Sequence, residues 1–200
     1  MKVGKVIKVS GPLVVAEGME DANVYDVVEV SDNKLIGEII EMRGDRASIK
    51  VYEETTGIGP GDDVYSTGSP LSIELGPGML EQMFDGIQRP LEALQAKAGD
   101  FLLRGVSVSP LDREKRWDFV PTGDEVSEGN IIGTVQETTV VSHKIMVPPA
   151  VSGKIVEILP GYHTVDEIIC KIETEDGIKE LNMIQKWPVR RGRPYSRKLD

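Results

Sequence analysis

Between Val3 and Pro70 the sequence repeats one texture: a short run rich in Val, Ile and Tyr, closed by Gly, Asp or Asn, about every ten residues. The runs read VGKVIKV, LVVAEGM, VYDVVEV, KLIGEIIEM, ASIKVYE and DDVYSTG. Punctuation at that interval leaves no room for a helix, and strands so short bury a core by forming an antiparallel sandwich or a small barrel. EMRGDRASIK then reads as a hairpin with Gly44 and Asp45 at its tip. Arg43-Gly44-Asp45 spells a cell-adhesion tripeptide, but no secretion signal precedes it, and the hairpin tip is the better reading.

Dense glycines in ETTGIGPGDDV (54–64) raise the question of a phosphate cradle. Such a cradle requires G-x-x-x-x-G-K-[ST] and a helix behind it. Here Gly57, Gly59 and Gly61 are followed by Asp62 and Asp63, which repel an anion, and then by a strand pattern. The stretch reads as a Pro-Gly turn.

The texture changes after Leu75. GPGMLEQMFDGIQRPLEALQAKAG carries apolar residues at Leu80, Met83, Phe84, Ile87, Leu91 and Leu94, one face of a 3.6-residue helix. Because Pro90 interrupts it, the spacing predicts one helix over 79–88 and a second beginning at Pro90. No other helix in the sequence partners that stripe, so it must be buried against something the chain does not supply. From about Arg104 to Leu181 strand patterns return, as RWDFVPTG, NIIGTVQET, TVVSHKIMVP, VSGKIVEIL, EIICKIET and GIKELNMI. The expected fold class is therefore mainly β: an amino-terminal small β-barrel, a short helical segment, and a second β-rich domain resembling a barrel-sandwich. The expected boundaries are 1–70, 71–105, 106–184 and a closing segment 185–200.

Chemistry is sparse. His143, His163 and Cys170 show no zinc-ligand spacing, and EIICKIE reads as a strand burying its thiol. The acid pairs Glu53-Glu54 and Asp62-Asp63 are adjacent, so in strands they face opposite ways. No catalytic, cofactor-binding or metal residue is assigned. The net charge of −10 argues against nucleic acid as a partner, and one cysteine excludes an internal disulfide. Neither a signal peptide nor an apolar run of about 20 residues is present, which predicts a cytoplasmic chain. Arg190, Arg191, Arg193, Arg197 and Lys198 make the last segment basic; its acidic partners are expected elsewhere in the fold.

Two resemblances follow. DEVSEGNIIGTV with HKIMVPPAVSGKI resembles the biotinyl and lipoyl carrier domains, in which a lysine at a hairpin tip bears the prosthetic group; the matching residue is Lys144, preceded by His143 where that family has Met or Asp. The second covers essentially the whole chain. IGEIIEMRGDRASIKVYEETTGIGPGDDVYSTGSPLSIELGPGMLEQMFDGIQRPL resembles the amino-terminal barrel and following helix of the catalytic A subunit of V-type and A-type rotary ATPases. Its most specific part includes Pro77, Asp85, Gly86, Gln88, Arg89 and Pro90. HKIMVPP resembles the domain inserted in A subunits and absent from B subunits, and QKWPVRRGRPY resembles the return from it. The short start resembles the bacterial or archaeal form.

The resemblance implies a parent that hydrolyses or synthesises Mg-ATP and couples this to H+ or Na+ movement. Segments 71–105 and 185–200 then belong to a nucleotide-binding domain, and 106–184 is the inserted domain. The phosphate-binding loop lies downstream in the family, so this stretch is expected to be inactive alone and to carry no cofactor. It is expected to serve ring assembly and peripheral-stalk contact, with B subunits, other A subunits and stalk subunits as partners and the membrane reached only through the complex. Ring contacts are further expected to cover open edges of the barrel sheet. The two ends of the insertion, Leu103 and Leu181, are expected to lie close together. A lipoyl- or biotinyl-like carrier domain modified at Lys144 is the alternative, and a free-standing nucleotide-binding enzyme using the Gly57–Gly61 loop is a third reading.

Overall fold

Alternating burial shapes the first six strands into a ring. The computed structural model describes residues 3–99, 104–123, 125–195 and 197. In it β1 (Val3–Ser10), β2 (Leu13–Glu17), β3 (Asp26–Val30), β4 (Leu35–Arg43), β5 (Arg46–Val51) and β6 (Asp63–Pro70) form a closed barrel of order β1-β2-β5-β4-β3-β6. On β3, Val28 and Val30 point into the core while Val27 and Glu29 are half-buried, the period-two pattern that fixes register. Val6, Val14, Ile39, Ile49 and Val64 complete the same core from the other strands. Arg43 pairs with Arg46, leaving Gly44 and Asp45 at the hairpin tip, with Gly44 at φ 63° where a glycine costs no strain.

β1 pairs with β6 through Val3, Gly4 and Lys5, so the ladder closes on itself. The expectation that ring contacts cover open barrel edges is thereby corrected, because a closed ladder leaves no row of unpaired backbone groups to cover.

Downstream come β7 (Ser72–Leu75), α1 (Leu91–Ala98), β8 (Trp117–Pro121), β9 (Glu125–Val126), β10 (Ile131–Gln136), β11 (Ser142–Met146), β12 (Gly153–Ile158), β13 (Gly161–His163), β14 (Cys170–Thr174), β15 (Gly177–Leu181) and β16 (Gln185–Pro188). Two four-stranded sheets, β11-β10-β8-β13 and β15-β14-β12-β9, share a core built on Phe119, Ile132, Ile145, Val165, Ile169 and Ile172. β7 and β16 form a separate two-stranded ribbon. The chain thus makes two compact units: Met1–Ile73 with Glu92–Val108 and Pro188–Asp200, and Glu74–Leu91 with Ser109–Trp187.

The predicted helix over 79–88 does not form; that stretch is a succession of turns. Gly78, Glu81 and Gln88 hold positive φ of 100°, 65° and 62°, which no right-handed helix accommodates. The Asp85 carboxylate also takes the amides of Ile87 and Arg89, at 3.1 and 2.8 Å, that a helix would bond to its own carbonyls. The second helix does form, as α1 directly after Pro90. Glu92 in its first turn and Lys97 in its last suit the helix dipole, and Gly99 at φ 66° ends it. Leu103, whose approach to Leu181 was expected, and Lys198 lie outside the described residues.

Candidate functional site

The Gly-rich turn is the natural first place to look for phosphate chemistry, and its backbone is already occupied. Gly59 donates to Asp62 Oδ2 (3.0 Å), Ile58 to the Thr55 carbonyl (3.0 Å), Gly61 to Val6 (2.8 Å) and Asp62 to Gly59 (3.3 Å). Amides committed to carbonyls of the turn and of β1, and to the Asp62 carboxylate, do not converge on an anion. These residues do not fit Mg-ATP.

Lys144 is not at a hairpin tip. It lies inside β11, paired across the ladder with Thr134, and the tip of that hairpin is the stretch between Gln136 and Ser142. The carrier reading at Lys144 is corrected on that ground, since a ligase substrate needs its lysine presented at the apex rather than flanked by a paired strand. Cys170 is fully buried on β14, and burial pushes its thiol up, away from reactivity. His143 and His163 lie against different carboxylates, Glu137 and Glu167, and no group of three metal-ligating side chains occurs among the described residues.

What the structure builds instead is a stapled loop over residues 76–90, the stretch in which the sequence is most distinctive. Three polar side chains hold it, each within the second unit. Gln88, itself buried, sets its side-chain amide against Glu74, accepting from the Glu74 N–H and donating to the Glu74 carbonyl, both at 2.7 Å. It thereby acts as one more strand residue beside β7. Asp85 gathers the amides of Ile87 and Arg89 and the Arg89 guanidinium (Nε 2.7 Å). Burial alone would raise that carboxyl, but the Arg89 and Ile87 donors outweigh it and hold it below the ordinary carboxylate range. Glu137, at the end of β10, accepts the Gly78 and Leu80 amides on Oε1 (2.7 and 3.0 Å) and faces His143 Nδ1 with Oε2 (2.7 Å). Its carboxyl is likewise depressed, the donors of Leu80, His143 and Gly78 overcoming the cost of burial.

Arg113 extends this network at the loop's entrance. It pairs with Glu74 and reaches Asp166 Oδ1 (3.0 Å), and Lys186 Nζ approaches Glu74 Oε1 at 3.7 Å.

The first unit has one comparable cluster. Glu38 on β4 has its side chain 2% exposed and receives two bonds from Arg190, at 2.9 and 2.6 Å, and one from the Tyr52 hydroxyl at 3.0 Å. The Arg190 guanidinium lies 4.5 Å from the centre of the Tyr25 ring, and Tyr25 holds a positive φ of 75°. The basic closing segment therefore finds an acidic partner in the fold through Arg190, as expected.

The family resemblance singled out Asp85, Gln88 and Arg89, in a stretch expected to be helical, but Glu38, Glu74 and Glu137 were missed. Each of those is an ordinary acid beside a strand pattern, and its role depends on a donor 39 to 152 residues away. No local signal announces that.

Comparison with known proteins places these features. The model of the ATP synthase alpha/beta family beta-barrel domain matches residues 6–68, and that of the ATPsynthase alpha/beta subunit barrel-sandwich domain matches residues 108–190. The V-type ATP synthase alpha chain of Clostridium novyi (strain NT) is 61% identical over 203 residues, and that of Clostridium perfringens (strain 13 / Type A) is 66% identical over 204. Both alignments cover 100% of this chain and 34% of the relative, so the chain spans about a third of the length of the curated relatives it matches. Among solved structures, the assembled ATPase EscN of the enteropathogenic E. coli type III secretion system aligns over 44% of this chain and 21% of its own, at 24% identity and a TM-score of 0.41. That likeness is too partial to add to the comparison.

Proposed function

Because the chain belongs to the V-type ATP synthase alpha-chain family, as its amino-terminal region, we propose that it is the assembly portion of a subunit whose chemistry is housed elsewhere. In this reading the whole subunit binds Mg-ATP and couples its hydrolysis or synthesis to H+ or Na+ movement. The barrel, residues 1–70, contributes to a ring with B subunits and other A subunits. The barrel-sandwich, 106–184, is an insertion that meets the peripheral stalk. Segments 71–105 and 185–200 lead into the nucleotide-binding domain, and the complex sits at the cytoplasmic face of a membrane. Among the described residues no helix is long and apolar enough to cross one.

The observation that carries the proposal is the pairing of two independently cored β units with a glycine turn whose amides are internally committed. The test is reconstitution: the purified chain is mixed separately with the B-type subunit and with the peripheral-stalk subunits of the same complex, and mass is followed by light scattering on a sizing column. A stoichiometric complex with at least one of them is expected, together with no saturable heat on titration with Mg-ATP. Association with neither partner, or saturable nucleotide binding by this chain alone, would overturn the assignment.

A further inference from the structure

Glu137 does two jobs at once. Its backbone closes the hairpin tip between β10 and β11, the Glu137 N–H donating to the Val141 carbonyl at 3.0 Å. Its side chain, 2% exposed, reaches out of that hairpin and holds the Gly78 and Leu80 amides. All of these residues lie in the second unit.

Both ends of the connection are stiff. At the tip, the Thr138 N–H also donates to Val141 (3.3 Å), and Thr138 Oγ1 accepts the amides of Val140 and Val141 at 3.4 and 3.1 Å. The Gln136 side-chain amide donates to the Thr138 carbonyl at 2.7 Å. Five hydrogen bonds thus hold a turn whose apex, Val140, is 87% exposed. At the loop, Gly78 holds φ 100°, a conformation that residues with a side chain rarely adopt. In between, the carboxylate has no slack: two amides fix Oε1 and His143 fixes the plane through Oε2. An exposed glutamate would absorb a shift by turning about its three side-chain torsions, but a buried one with both oxygens occupied transmits it.

We propose that Glu137 makes the Glu137–Ser142 tip and the Gly76–Leu80 loop one moving part, so that a change at the exposed tip is read at the Gly78 and Leu80 amides. Coupling of this kind is a free energy shared between two places through one hydrogen-bonded element. It goes beyond the assembly role and stands whether or not the chain joins a ring. It also supplies a route from the exposed Val140 apex to the loop in which the sequence is most distinctive.

Amide hydrogen exchange on the full 200-residue chain tests it. Thr138→Ala removes the acceptor of the Val140 and Val141 amides without touching the loop. Exchange at Gly78 and Leu80 is expected to quicken by about tenfold, mid-range for side chains sharing one network. The amides of Ile87 and Arg89, held by Asp85, should not change. In a Glu137→Ala background, where Gly78 and Leu80 already exchange fast, adding Thr138→Ala should add nothing at those two positions. Acceleration confined to Val140 and Val141 means that the tip moves alone, and the proposal fails. Val140→Gly, which loosens the tip without deleting a hydrogen bond, must give the same split. Uniform acceleration of loop, Asp85-held and core amides in both variants is global opening and overturns the coupling equally.

Discussion

Glu38 shows how a single acid decides what a buried ion pair does. On β4 it stands among residues that seal the barrel, and burial by itself would raise its carboxyl. The two hydrogen bonds from Arg190 outweigh that, with the Tyr52 hydroxyl adding to them, and its pKa falls below the ordinary glutamate value. The folded value therefore lies under the unfolded one. Stability from the pair is complete above the usual range of about 4.3 and drains away as pH falls through the lowered folded value. Arg190→Ala should lower the urea midpoint of the barrel at pH 7, and the gap to the unchanged protein should close as the solution is acidified into that window. Arg190→Lys should recover only part of the loss, because an ammonium cannot place two parallel donors on one carboxylate. A gap that stays constant from pH 7 to below 4 would mean that Glu38 is not the group involved. Only part of this was legible beforehand. The basic run in the closing segment predicted an acidic partner, but the choice of Glu38 depends on a contact across 152 residues, and Glu41 on the same strand looks no different in sequence.

Elements were read well where one face decided the outcome and poorly where side chains captured backbone. The strands of the barrel follow from inward Val and Ile at every second position, as on β3. The helix over 79–88 failed although its apolar spacing was right, because Asp85 captures the amides of Ile87 and Arg89 locally and Gln88 is turned to the Glu74 backbone 14 residues away. β13 was missed because three residues, Gly161–His163, carry too little pattern to register. On the sheet β15-β14-β12-β9 the outward positions alternate in sign. Lys154 faces Glu173, and Lys171 stands between Glu157 and Glu180, with its ammonium 2.7 Å from Glu157. Half-exposed pairs of this kind add little to stability. The weak point of that sheet is Gly153, where an added methyl would overlap the Glu173 carbonyl of β14, a backbone atom with nowhere to go. Gly153→Ala is expected to cost about 2 kcal/mol, as overpacking does when the neighbour cannot yield. Gly192→Ala, which meets nothing, should stay within about 0.5 kcal/mol of the parent. Urea titration of the two variants side by side makes the comparison, and equal midpoints would remove the steric argument.

Across the whole molecule the deciding fact is that the two cores share no residue: one is built on Val28, Ile39 and Ile49, the other on Phe119, Ile132 and Ile172. The sequence showed this as a change of texture after Leu75 and a return of strand patterns near Arg104. It did not show that the chain enters each unit more than once, because the division at Ile73, Leu91, Val108 and Trp187 is set by tertiary contact alone. Units with separate cores unfold as separate cooperative blocks unless a large apolar interface binds them. The distribution of aromatic residues makes this measurable without labels. Trp117 and Trp187 both belong to the second unit, whereas Tyr25, Tyr52 and Tyr65 belong to the first. Tryptophan emission should therefore report only the barrel-sandwich, and exchange at the Val28 and Ile49 amides only the barrel. Gly153→Ala should shift the emission midpoint and leave those barrel amides alone, while Arg190→Ala should do the reverse. If either substitution moves both signals by the same amount, the units fold as one block, and the separation of their cores has no energetic meaning. Opposite, non-overlapping responses would establish that each β unit carries its own stability into whatever assembly the chain joins.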